Sequence, residues 1–282
     1  MLKLCFNTNG LRNLALDEAI RHIGEAGYRG VEISLHPAHV LPWGYTPSDL
    51  DRIWRALEAY AVQPVCIATG APNLLSGEDH EPSLITADPA ERQKRVDLIC
   101  ATFELARHLS VPVVNLSTGF LKPSVDPGTA WQSLVDGVRA CLEHAGNITL
   151  AIEPEPGMFI QSSTQAIDLI QQIDSPQFKL NLDIGHVNVI EDDFYEALER
   201  SAPFSGHMHV EDIKARVHHH LIPGEGDIDF EKVFSVLDSA GYSEWLSVEL
   251  YPHADRWQQS LDQSYSVLQS AIESVCPLAL SA

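Results

Sequence analysis

The sequence predicts a single-domain α/β fold, a closed (β/α)8 TIM barrel spanning residues 1–282, from three observations. Eight short runs of apolar and β-branched residues recur along the chain, and segments with the i, i+3, i+4 apolar spacing of amphipathic helices separate them. No linker rich in Pro, Gly or Ser divides the chain, and 282 residues suit one barrel around one core.

The strand-like runs are, in order, KLCFN, GVEISL, PVCIAT, PVVNLST, ITLAIE, KLNLDI, GHMHVE and LSVEL. Each is too short for a helix and carries the Val, Ile and Leu density of a strand covered by helices. Helical periodicity covers Leu16 to Ala26, Pro47 to Ala61, Ala90 to Leu109, Thr129 to His144, Ser163 to Ile173, Phe194 to Ser201, Phe230 to Ala240 and Gln259 to Val275. Glycine stands ahead of strands in EAGYRGVEI, HAGNITLAI and SAGYSEWLSVEL, where a helix must stop in a left-handed turn before the chain reverses. The longer irregular pieces come after strands instead: HPAHVLPWGYT after the second, GAPNLLSGEDHEPSLITADP after the third and EDIKARVHHHLIPGEGDID after the seventh. Long loops on that side belong to the catalytic face of a barrel. Residues 276–282 read as a flexible tail.

Composition narrows the function classes. The chain has 39 acidic against 18 basic side chains, a net charge of -21, which repels nucleic acid and anionic membrane surfaces. Cys5, Cys66, Cys100, Cys141 and Cys276 are scattered and form no CxxC pair, as expected of reduced thiols and core filler. MLKLCFNTNG runs straight into a strand without the features of a signal peptide, and no run of ~18 apolar residues could cross a bilayer. A cytoplasmic protein is the expectation.

Four side chains then stand out. Glu153 in LAIEPEPG, Asp183 in KLNLDIGH, His209 in GHMHVED and Glu249 in LSVEL close four successive strands, where an acid has no packing role. Each lies about one βα unit from the next, so together they ring the barrel mouth and can hold one divalent cation. Three carboxylates and one imidazole favour an oxygen-rich octahedral ion, Mn2+ or Mg2+, with Co2+, Fe2+ or Zn2+ as alternatives.

Taken jointly and in this order, IEP at Glu153, LDIGH with Asp183 and His186, HVED from His209, IPGEGDIDF from Ile222 to Phe230 and VEL at Glu249 resemble the xylose-isomerase-like barrels. Within them the pattern is similar to the D-tagatose 3-epimerase group of sugar and sugar-phosphate isomerases and epimerases, and it covers essentially the whole chain. The resemblance implies that Glu153 and Glu249 bind the metal and also form the proton-transfer pair, that Asp183 and His209 complete the coordination, and that His186 contacts substrate. It also implies a small polyhydroxy substrate and a homo-oligomer. The chemistry is coherent: a cation across a carbonyl and its neighbouring hydroxyl acidifies the C–H between them, and carboxylates on opposite faces of that carbon move the proton.

Two departures bear on substrate. Where the ketose 3-epimerases carry a substrate-contacting arginine, four residues before the loop glycine, this chain has His220. The related endonuclease IV pattern is not met, because GAPNLL and NLSTG lack the histidines it places after strands three and four. Further substrate candidates are Glu155 and Trp43. His207 is expected to pack behind His209, Phe6 to belong to the core, and Asp212 and Lys214 to pair with each other, touch substrate or lie on the surface. The leading reading is an isomerase or epimerase acting on a small ketone or keto acid without a phosphate. A dehydratase of the inosose or dehydroshikimate type, or a non-catalytic metal- and ligand-binding barrel, would use the same framework.

Overall fold

The computed structural model describes residues 2–70 and 74–275. Ala71, Pro72 and Asn73 of the GAPNLL stretch, Cys276 and the expected tail at 276–282 lie outside the described residues. Eight parallel strands close into a barrel: β1 (Lys3–Asn7), β2 (Gly30–Ser34), β3 (Gln63–Ala68), β4 (Val113–Ser117), β5 (Thr149–Glu153), β6 (Phe178–Asp183), β7 (Ser205–Val210) and β10 (Trp245–Val248). Each pairs with its neighbour in the barrel order, and β10 returns to pair with β1.

Helices α1 (Leu16–Glu25), α2 (Pro47–Tyr60), α3 (Pro89–Leu109), α4 (Pro127–Ala145), α5 (Ser163–Ile173), α7 (Phe194–Ser201), α8 (Phe230–Ser239) and α9 (Trp257–Val275) match the expected spans within a residue or two. Their starts are written locally. Thr46, Asp88 and Asp126 each accept a backbone N–H of the first turn, and a proline occupies the first position of each helix, where its missing N–H costs nothing. Gly27 and Gly241 take positive φ in the expected turns before β2 and β10.

Two elements depart from the sequence reading. IGHVNVI forms a short helix, α6 (Ile184–Ile190), because Asp183 ends its strand and caps the helix at once, its Oδ1 accepting the His186 N–H at 2.8 Å. The loop after β7 is an antiparallel hairpin, β8 (Asp212–Lys214) with β9 (Val217–Leu221), and not irregular chain. Asp212 braces the turn that leads from this hairpin to α8: it is buried, and its carboxylate accepts N–H bonds from Ile213, Gly224, Gly226 and Ile228 at 2.8 to 3.1 Å. That corrects the expectation of a substrate-touching or surface aspartate; Lys214 is exposed.

The main core fills the space between strands and helices, with Phe6, Tyr28, Phe103, Phe178 and Phe234 fully buried in it. Inside the barrel a smaller cluster, including Cys5, Val113 and Ala151, plugs the bottom. Two residues further along the same strands, and so on the same inward face one layer nearer the mouth, come Asn7, Asn115 and Glu153. The interior thus changes from apolar to polar along the strands. Cys5, Cys66, Cys100 and Cys141 are free thiols, three of them buried. Among the described residues no helix is long and apolar enough to cross a membrane.

Candidate metal centre and active-site cavity

Strand register places the four expected ligands together. Asp183 is paired with His209 across β6 and β7, and Glu153 ends β5 beside Ser117. Glu249 comes directly after β10 and donates its N–H to the Val210 carbonyl at 3.2 Å. One ligand atom from each of Glu153, Asp183, His209 and Glu249 lies within 4.8 Å of all the others. His209 is the hub: its Nδ1 stands 2.9 Å from Glu153 Oε1, 3.4 Å from Glu249 Oε2 and 3.9 Å from Asp183 Oδ2.

The site fits a cation. Asp183 is buried, with Oδ1 engaged by the helix cap and its carboxylate also hydrogen-bonded to the Glu211 side chain. Glu211 is fully buried directly after β7; burial and Asp183 raise its carboxyl well above the usual value, and it shares a hydrogen bond with Asp183, acid against acid. Burying so many acids around one imidazole is costly unless positive charge joins them. The donor set of carboxylate oxygens and one imidazole nitrogen suits a divalent cation.

The protonation states diverge. Burial, with Glu249 and Asp183 close by, outweighs the pull of His209 and raises the Glu153 carboxyl to about 7. Burial also pushes Glu249 and Asp183 up, but the neighbouring imidazoles prevail and hold both carboxyls below their usual range. For His209, burial opposes the cation while Glu153, Glu249 and Glu32 reverse that effect and raise its pKa well above normal.

Behind His209 lies a residue that sequence reasoning missed. Glu32, in the middle of β2 and fully buried, meets His209 Nε2 at 3.0 and 3.1 Å, His207 Nε2 at 3.1 Å and the Asn115 side-chain amide at 3.3 Å. By accepting the Nε2 proton it leaves Nδ1 to donate to Glu153 in the protonated ring, and to offer its lone pair to a cation that displaces that proton, the arrangement that orients a metal-ligating histidine. Its signal was an acid inside an otherwise apolar strand, GVEISL. His207 packs behind the site as expected. Asn7 and Asn9, also missed, donate to Glu249 Oε1 at 3.2 and 3.0 Å and fix its carboxylate.

A cavity of about 440 Å3 opens over Glu153 and Glu249, with Arg12, His36, His80, Ser117, Glu155 and Tyr251 among its walls. Glu155 does face this space, and burial together with Glu153 and Glu249 raises its carboxyl well above the usual value. His80, from the long loop after β3 and beyond GAPNLL, is another lining residue, its Nδ1 3.0 Å from Ser117 Oγ. Trp43 is 43% exposed on the loop after β2 and is not among the lining residues, and Phe6 is core.

His186 and His220 also line the cavity, and His218 joins them. His186 Nδ1 is 3.0 Å from the Pro154 carbonyl, so in the neutral ring the proton sits there and Nε2 carries a lone pair. Burial depresses the His186 pKa to about 4 even though Asp183 pulls the other way. The neutral ring therefore accepts hydrogen bonds at Nε2.

Comparison with known proteins gives the same architecture. Residues 20–268 match the family described as the xylose isomerase-like TIM barrel. A 2-oxo-tetronate isomerase from Pectobacterium atrosepticum is 26% identical over 235 residues, 81% of this chain and 83% of that protein. An L-ribulose-5-phosphate 3-epimerase, UlaE, from Shigella flexneri is 23% identical over 239 residues, 83% of this chain and 81% of that protein. The crystal structure of the IOLI protein with a bound zinc atom superposes with a TM-score of 0.81 at 18% identity, covering 97% of this chain and 99% of that one.

Proposed function

The chain belongs to the xylose isomerase-like TIM barrel family, and from that premise we propose that it is a divalent-metal-dependent isomerase or epimerase of a small hydroxy ketone or keto acid. The observation that carries this reading is the convergence of Glu153, Asp183, His209 and Glu249 at the base of a cavity large enough for a small sugar-like molecule. When bound by those four residues, a cation such as Mn2+ would polarise the substrate carbonyl and make the adjacent C–H acidic.

The protein's own groups handle the proton. Glu249, held ionised and oriented by Asn7 and Asn9, is suited to accept the proton from carbon, and Glu153, poised near neutrality, is suited to return one. Return from the opposite face gives epimerisation; return to the neighbouring carbon gives aldose–ketose isomerisation. Arg12 is the one arginine or lysine among the described lining residues, which favours a substrate that carries a carboxylate. The relative acting on 2-oxo-tetronate, by its name an isomerase of a keto acid, agrees with that preference.

The test is deuterium wash-in from D2O, read by mass spectrometry across a panel of short ketoses and hydroxy keto acids with Mn2+ supplied. Exchange at the carbon beside the carbonyl is expected, falling by about 10²- to 10⁴-fold in Glu153→Gln and in Glu249→Gln. Loss of water from the product would assign the dehydratase class instead. Metal-loaded, folded protein that exchanges nothing on any member of the panel would reject enolisation and favour a binding role.

A further inference from the structure

We propose that His80 is a substrate-binding residue whose imidazole hydrogen-bonds a hydroxyl group of a polyhydroxy substrate; this rests on reading the cavity as the substrate site. His80 and Asp79 come from the loop between β3 and α3, and with Gly70 and Ser117 they line the same cavity as Glu153. Ser117 ends β4 and pairs in register with Glu153 at the end of β5, and neighbouring strands stand about 4.8 Å apart. The ring bonded to Ser117 is therefore set one strand away from the group proposed to return the proton.

The loop is fastened so that this side chain reaches the cavity. Arg95, buried on α3, donates from Nε to the Pro82 carbonyl at 2.9 Å and from Nη1 to the Thr69 carbonyl at 3.4 Å, and so ties the returning limb of the loop to the end of β3. Glu81, also buried, accepts the Ser83 N–H at 3.2 Å and the Thr86 hydroxyl at 2.7 Å. Beside these anchors His80 has a φ of 59°, a left-handed backbone that a residue with a Cβ keeps only when its surroundings impose it. Phe120 meets the ring edge to face, with centroids 6.0 Å apart. On the barrel side Gly70 leaves the ring its place: a Cβ there would already touch it, 3.7 Å from Cε1, and a longer side chain would compete for the same space.

The ring so held has one nitrogen committed and one to spare. Nδ1 stands 3.0 Å from Ser117 Oγ, and among the described residues no hydrogen bond engages Nε2. Burial, with Arg95 close by, lowers the pKa of the ring, and a neutral imidazole carries one N–H and one lone pair. A serine hydroxyl donates or accepts by rotation, so Ser117 serves either tautomer and Nε2 can meet a ligand as donor or as acceptor. A substrate hydroxyl has the same dual capacity. A carboxylate can only accept, and here it would share a wall with the Asp79 carboxylate, like charge against like. Arg12, which follows β1, matches an acid group instead. The two residues thus read different parts of one molecule, Arg12 its carboxylate and His80 a hydroxyl along its chain.

Equilibrium binding of threonate and erythronate, four-carbon polyhydroxy acids with no carbonyl to enolise, and of their monodeoxy analogues tests this without turnover, by isothermal titration with Mn2+ supplied. The natural protein is expected to bind one of the two acids about three- to tenfold more tightly than one of its analogues. His80→Gly removes the ring and suits the left-handed backbone; it should weaken that acid by the same factor and leave that analogue unchanged, because the partner hydroxyl is already gone. His80→Asn also tolerates this backbone but is too short to reach, and should repeat the pattern. His80 is half-buried, so its removal leaves the core intact, and circular dichroism checks the fold. Equal weakening of the acid and all its analogues in both variants, or no weakening, would overturn the contact. Unchanged binding in variants of a protein that exchanges protons in D2O strikes His80 alone, whereas the expected pattern in a protein that exchanges nothing keeps the contact and removes the isomerase. Failure of the natural protein to bind any of these acids would overturn the polyhydroxy substrate and the role of His80 together.

Discussion

Glu32→Gln should weaken the proposed metal site although the residue is not one of its proposed ligands. In the natural protein both carboxylate oxygens face N–H donors: Oε1 and Oε2 meet His209 Nε2, and Oε2 also meets His207 Nε2. A glutamine places an NH2 where one oxygen was, so a donor confronts a donor at a fully buried position. The least costly escape is for His209 to move its proton to Nδ1, the nitrogen that stands 2.9 Å from Glu153 Oε1 and must be free to bind metal. Losing such an orienting partner reduces metal affinity by about 10- to 100-fold, equivalent to roughly 1.4 to 2.7 kcal/mol. Isothermal titration of stripped protein with Mn2+ measures it directly, and a folded Glu32→Gln variant with unchanged affinity would refute the orienting role.

Three other perturbations have defined outcomes. Asp212→Ala removes the acceptor shared by the Ile213, Gly224, Gly226 and Ile228 amides; hydrogen exchange at Gly224, Gly226 and Ile228 should accelerate by about 30-fold or more, since bonds to a charged acceptor contribute ~2 kcal/mol, and unchanged protection would contradict the bracing role. Gly185→Ala puts a methyl within 2.6 Å of Glu211 Cδ, which is buried and has no room to retreat; a destabilisation of roughly 1 to 3 kcal/mol in urea unfolding is expected, and truncating Glu211 in the same chain should restore part of it. His39 is held neutral in the fold because burial, helped by His36, lowers its pKa to about 4. The unfolded chain takes up that proton first, so this contribution is complete above pH ~6.5 and declines by about 3 kcal/mol as pH falls to 4; His39→Leu should flatten the stability profile over that window, and parallel profiles for the two proteins would dismiss the effect.

Much of this was legible in the sequence because it is written locally. The barrel strands announce themselves through short apolar runs between capped helices, and the candidate ligands through acids and an imidazole at strand ends. What stayed hidden depends on register or on residues far apart in sequence. Glu32 looks like one acid in GVEISL until β2 is set opposite β7, 177 positions away in the bond to His209. VHHHL shows no apolar alternation, so β9 is set by its pairing with β8 rather than by its own pattern. IGHVNVI is rich in β-branched residues and would suit a strand; the Asp183 cap turns it into a helix. His80 lies in a long loop whose return to the cavity no local rule specifies.

The division of labour within the Asp183 carboxylate has an experimental and an architectural consequence. One oxygen starts α6 and thereby sets where His186 stands; the other faces His186 and His209, on the side where the candidate ligands converge. Folding of this corner and charge at the centre are therefore linked through a single group. An asparagine would keep the oxygen that begins the helix while giving up the negative charge, whereas an alanine would forfeit both. The two substitutions side by side separate the shape of the active site from its electrostatics at one side chain.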